Sequence, residues 1–136
     1  MQSIFEKTFS SSADNLPEIE QFIIEIVSDI EDLKEDTKNN IEMAVAEAAA
    51  NSILHGNKND NSKSVLVHIE VSPSLLILKF KDQGAGFKPE DVPDPTLPEN
   101  ILKGSGRGLH IMKSLADNVD YNFFEDGTQL VLSFNI

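Results

Sequence analysis

The stretch "AEAAANSILHGN", residues 46–57, sets a few polar side chains into a segment that is otherwise small and apolar. Glu47, Asn51 and His55 fall at i, i+4 and i+8. On a helix that spacing stacks them on one face, turn above turn. Alanines at 44, 46, 48, 49 and 50 crowd the same segment, while Ile41, Val45, Ile53 and Leu54 supply bulk. A helix apolar on most sides is buried over most of its surface. A carboxylate in its middle therefore needs a reason to be there.

Working outward, this helix is expected from about Asp36 to His55, stopped by Gly56. Before it, residues 2–9 alternate as a first strand. Ser12 or Asp14 can cap a helix whose first turn takes Pro17, and Ile19, Phe22, Ile23, Ile26, Val27 and Ile30 form its apolar stripe. After it, "NKNDNSKS" is a polar loop. "VLVHIEV" then puts Val65, Val67, Ile69 and Val71 on one face, and a turn leads into "LLILKF". "GLHIMKSLAD" returns to helix, and "VDYNFFE", an Asp126-Gly127 turn and "TQLVLSFNI" make a closing hairpin. The pattern predicts one α/β (α+β) domain over residues 1–136, a two-layer sandwich. Its sheet is mixed but mostly antiparallel, with helices on one face.

The 136 residues suffice for one core. No apolar run approaches the roughly 20 residues that span a bilayer, so no membrane segment is expected. No cysteine is present to make a disulfide or a thiolate metal site. A cytoplasmic protein is the simplest expectation. The net charge is −12, and residues 1–36 alone hold ten acids against Lys7 and Lys34. That balance argues against direct nucleic-acid binding. It suits a solvated acidic helix face or docking to a basic surface on a protein partner.

Four of the six prolines, at 89, 93, 95 and 98, punctuate "KPEDVPDPTLPENILK". So long a proline-rich segment in a small domain suggests a lid, at about residues 88–103. Glycine-rich turns flank it: Gly84 and Gly86 in "DQGAGF", then Gly104, Gly106 and Gly108 in "GSGRGL". Such turns let a backbone approach a ligand closely, and the second runs into a helix whose N-terminus favours anions. The phosphate-loop pattern is absent, and no G-x-G-x-x-G follows a strand. Arg107, between two loop glycines, is the only arginine in the chain. Its guanidinium can fork onto phosphate oxygens.

In this order, "EAAANSILHG", "DQGAGF", "GSGRGLHIM" and "DGTQLVL" resemble the ATP-binding motifs of the GHKL ATPase superfamily. The resemblance is nearest to the small bacterial anti-sigma-factor serine/threonine kinases. It runs from about residue 36 to the end and is most specific in "DPTLPENILKGSGRGLHIMKSLAD". It implies a Bergerat-type ATP-binding fold. Asp82 would accept a hydrogen bond from the adenine amine, with Thr128 supporting the same base. Gly84 and Gly86 would pass close to base and ribose, and Asn51 would ligate Mg2+. Arg107 and the amides around Gly104, Gly106 and Gly108 would hold the phosphates.

By the same resemblance Glu47 is the general base that activates an attacking hydroxyl, which answers why a carboxylate stands in an apolar helix. Alternatively it is a structural glutamate hydrogen-bonded to backbone. His55 either caps the helix end or joins the site. The activity implied is transfer of the ATP γ-phosphate to a serine or threonine of a STAS-type anti-anti-sigma partner, with a sigma factor as second partner and a homodimer as assembly. Competing readings are an ATP-dependent regulatory module that transfers nothing, and a detached histidine-kinase ATPase domain. Arg107 weighs against the last, since related histidine-kinase domains usually carry leucine there.

Overall fold

The computed structural model of the protein describes residues 2–57, 60, 62–83 and 111–136. The chain enters as strand β1 (Ser3–Ser10). Ser12 then accepts the Asp14 amide on its hydroxyl and starts a short 3-10 turn at Ala13–Asn15. Helix α1 (Leu16–Ser28) follows, with proline in its first turn, where a missing N–H costs nothing. Ile19, Ile23 and Val27 are its buried positions, and Phe22, Ile26 and Ile30 pack at the rim of the core. That is the stripe expected of its sequence.

Helix α2 (Glu35–Ala50) carries Glu35 and Asp36 in its first turn, where the helix dipole favours negative charge. Ile41, Ala44, Val45, Ala48 and Ala49 are buried. The expected single helix to His55 does not keep one geometry. From Asn51 to Gly56 the backbone changes to a π-helical pattern. A π turn is wider than an α turn, so the alignment that placed His55 one α-turn beyond Asn51 ends at Ala50. The alignment of Glu47 with Asn51 stands.

Strands β2 (Ser64–Val71), β3 (Leu75–Lys81), β4 (Asn118–Phe124) and β5 (Gly127–Asn135) complete a five-stranded sheet of order β1-β2-β3-β5-β4. All four pairings are antiparallel. Register follows the buried face: Val67 stands opposite Phe80, Leu78 opposite Leu132, and Leu130 opposite Tyr121. A slip of one residue would turn every one of these side chains to the other face. Both helices, and Met112 from helical residues 111–115, cover this face and make one core with it. The final turn uses Glu125 and Asp126, so Gly127 is the first residue of β5 and pairs with Phe124.

The opposite face of the sheet carries a charged row. His68 lies 2.8 Å from Glu6 and 3.3 Å from Glu70, and Lys79 lies 3.3 Å from Glu70. His68, Glu70 and Lys79 are partly buried and Glu6 is exposed, and pairs of this kind at a surface contribute little to stability. No described helix is long and apolar enough to cross a membrane.

Candidate nucleotide site

Asp82 leaves the end of β3 and is almost wholly buried. Its backbone N–H donates to the Thr128 carbonyl at 2.9 Å, and its Oδ1 accepts the Thr128 amide at 3.1 Å. The carboxylate is thus clamped to the start of β5. The clamp requires glycine at 127. A Cβ there would stand 1.8 Å from the Asp82 carbonyl oxygen and 2.8 Å from its carbon. Since the neighbours are backbone, they cannot swing aside. Gly127 also has φ +154°, a conformation L side chains rarely adopt. The sequence reading assigned Gly127 to a turn; its sharper reason is this contact with Asp82.

Thr128 is buried as well, and its Oγ1 has no hydrogen-bond partner among the described residues. A buried hydroxyl without a partner costs roughly 1–3 kcal/mol. Beside a clamped carboxylate, such an atom fits a ligand that carries donors and acceptors together, as an adenine edge does.

Asn51 stands at the junction of α2 and the π segment. Its backbone N–H reaches the carbonyls of Ala48 and Glu47, and its side-chain Nδ2 donates to the Tyr121 hydroxyl at 3.1 Å. Tyr121 lies on the core-facing side of β4, opposite Leu130. Burial pushes its phenol up to about 12, against the pull of the Asn51 hydrogen bond and with the Asp82 charge adding to the rise. The phenol is therefore neutral throughout the physiological range.

Glu47 is partly buried one turn before Asn51. Asn57, read from sequence as a loop residue, is fully buried. Its Oδ1 accepts the Gln83 amide at 2.7 Å and its Nδ2 donates to the Ser64 carbonyl at 3.0 Å. It fastens the chain just past Asp82 to the end of the π segment. Neither Asn57 nor Tyr121 stands out in the sequence, because Gln83 lies 26 positions from Asn57 and Asn51 lies 70 from Tyr121.

The described residues pair Asp82 with Thr128 and set Glu47 one turn before Asn51, whose side chain reaches Tyr121. Gly84, Gly86, Gly104, Gly106, Arg107 and Gly108, with the lid at 88–103, lie outside the described residues, as does the His55 side chain. Two cavities, of about 360 and 320 Å3, open at the other end of the sandwich, around Ile30, Pro73 and Ile136. They are remote from Asp82. The chemistry rather than the cavity size marks the site, since the walls it would take from residues 84–110 are not among those described.

Comparison with known proteins identifies the family. The family description "Histidine kinase-like ATPase domain" matches residues 9–134. A protein of Clostridium perfringens named anti-sigma F factor is 29% identical over 119 residues, covering 84% of this chain and 80% of its own. An anti-sigma F factor of Anoxybacillus flavithermus is 33% identical over 102 residues, covering 71% of this chain and 68% of its own. One from a Geobacillus species is 34% identical over 88 residues, covering 62% and 59%. With that match, this fold and a clamped carboxylate beside an unsatisfied threonine, the chain belongs to the histidine kinase-like (GHKL) ATPase domain family, whose ATP-binding fold it shares.

Proposed function

We infer that the protein binds ATP with magnesium at the end of the sandwich and transfers the γ-phosphate to a serine or threonine hydroxyl of a partner protein. By analogy with relatives named anti-sigma F factor, the partner class is a STAS-type anti-anti-sigma protein, and the chain also engages a sigma factor, as a homodimer in the cytoplasm. Asp82 reads the adenine amine, and Thr128 uses its unpartnered hydroxyl on the same base, directly or through water. Gly84 and Gly86 border base and ribose. Arg107 and the backbone about Gly104, Gly106 and Gly108 hold the phosphates.

Asn51 offers an amide oxygen, the hard donor that magnesium accepts. Among the described residues no group of three His, Asp or Glu side chains could hold an ion alone, so the ion would arrive with the triphosphate. When bound, magnesium would neutralise charge on the phosphate oxygens. Glu47 takes the proton from the attacking hydroxyl as its oxygen forms the new bond to phosphorus, and ADP leaves with the electrons of the broken P–O bond.

The observation that carries the enzyme reading is the Glu47 carboxylate, partly buried one turn before Asn51. A module that only bound ATP would have no use for it. The test is Glu47→Gln, which keeps size but cannot take a proton at neutral pH. Phosphorylation of a STAS partner in a single turnover should slow at least about 100-fold, with ATP affinity retained. Transfer at the wild-type rate would remove Glu47 as base. No transfer by the wild type to any STAS partner would leave an ATP-dependent regulatory binding module as the better account.

A further inference from the structure

The geometry points to Tyr121 as the positioning residue for Asn51: its phenol oxygen holds the amide nitrogen and so leaves the amide oxygen as the face turned to magnesium and phosphate. This rests on the assignment of Asn51 as the metal ligand, and it concerns a residue that no motif of the sequence includes. An asparagine amide presents an acceptor on one side and donors on the other. A half turn about its last bond exchanges them, so a metal ligand of this type needs something to fix its sense. The 3.1 Å contact from Nδ2 to the Tyr121 hydroxyl provides it.

A phenol can also donate, and a donating Tyr121 would fix the amide the wrong way round, with its oxygen consumed. In the structure the amide is the donor, its Nδ2 lying 3.1 Å from the phenol oxygen, so the amide oxygen stays available on the other side. Tyr121 is well placed to act as such a fixed link, because its ring is packed against the core.

The experiment compares the full-length wild type with Tyr121→Phe, Asn51→Ala and the double variant, titrating ATP in EDTA and across a magnesium series. Tyr121→Phe removes one oxygen and keeps the ring. It should bind ATP in EDTA within about twofold of wild type, yet need about 3- to 10-fold more magnesium for the same affinity, the worth of one neutral hydrogen bond. The double variant should need no more magnesium than Asn51→Ala alone. Equal losses with and without magnesium in Tyr121→Phe would show a general structural role and overturn the inference. An unchanged magnesium requirement in Tyr121→Phe, while Asn51→Ala raises it, would overturn the inference and leave the metal ligand standing. An unchanged requirement in Asn51→Ala would overturn both. A second measurement needs no variant: in the ligand-free wild type, NMR should show one Asn51 side-chain amide proton shifted and slowed in exchange, close to the Tyr121 ring. Two freely exchanging protons of ordinary shift would overturn the inference by themselves.

Discussion

Replacing Asp82 with asparagine separates reading the base from holding the pocket together. In the folded chain the Asp82 carboxylate accepts the Thr128 amide at 3.1 Å in a buried setting. Alanine at this position would strand that N–H, at a cost of about 1–3 kcal/mol in stability, and would also remove the acceptor for adenine. Asparagine keeps an oxygen for Thr128 and places an NH2 group on its other side. Two donors, that group and the adenine amine, then face each other. A charge-assisted hydrogen bond worth about 1.5–3 kcal/mol is lost, so ATP affinity should fall about 10- to 150-fold. ADP affinity should fall by the same factor, because both carry the base. Calorimetric titration of both nucleotides, beside urea unfolding, measures the two effects separately. Asp82→Asn should unfold near the wild-type midpoint, and Asp82→Ala clearly below it. Wild-type ATP affinity in Asp82→Asn would refute the assignment of Asp82 to the adenine amine.

Gly127→Ala forces a Cβ to within 1.8 Å of the Asp82 carbonyl oxygen, so backbone must move. A loss of about 1–3 kcal/mol on urea unfolding is expected, with weaker ATP binding; an unaffected variant would mean that the Asp82 clamp is loose. The alkaline limb of stability should carry the signature of Tyr121. Its phenol ionises near 10 when unfolded and at about 12 when folded, so the unfolded chain gives up its proton first. Its contribution is intact below pH 10 and lost as pH rises toward 12, in total roughly 2–3 kcal/mol. Tyr121→Phe should lack that decline relative to wild type. Because Tyr121 is the only tyrosine, tyrosinate absorbance reports it directly, and a midpoint near 10 in the folded protein would contradict the burial argument.

The sheet was legible because its strands obey a period of two. Val65, Val67 and Ile69, then Leu76, Leu78 and Phe80, then Leu130, Leu132 and Phe134 all point into the core, as alternation requires. The helical spacing that sets Glu47 one turn before Asn51 was legible too, and the roles of these residues and of Asp82 rest on the motif resemblance. What escaped notice was non-local. Tyr121 reads as one more inward aromatic, since its hydrogen-bond partner lies 70 positions away. Asn57 sits in a polar run that describes a loop, yet it is buried by contacts to Ser64 and Gln83. The π segment leaves no trace in side-chain pattern, because what changes there is which carbonyl each N–H meets. For Gly127 the "DG" pair signals a turn, whereas the constraint on it comes from the Asp82 backbone.

The bonds that draw the site together span 70, 46 and 26 positions of chain. Each closes a long loop, and the entropy of that closure is spent before the contact returns anything. Local helical turns form in far less time than such pairings. If the Asn51–Tyr121 and Asp82–Thr128 contacts close only after the rate-limiting barrier, they belong to the last stage of folding. Interactions absent at that barrier act on the rate of unfolding and leave the rate of folding alone. A nucleotide that recognises only the assembled pocket would do nothing to hasten the chain into its native form, but it would hold a finished molecule there, in proportion to its concentration over its dissociation constant. The lifetime of the protein in the cell, and with it resistance to proteolysis through the open state, would then follow the adenine nucleotide pool.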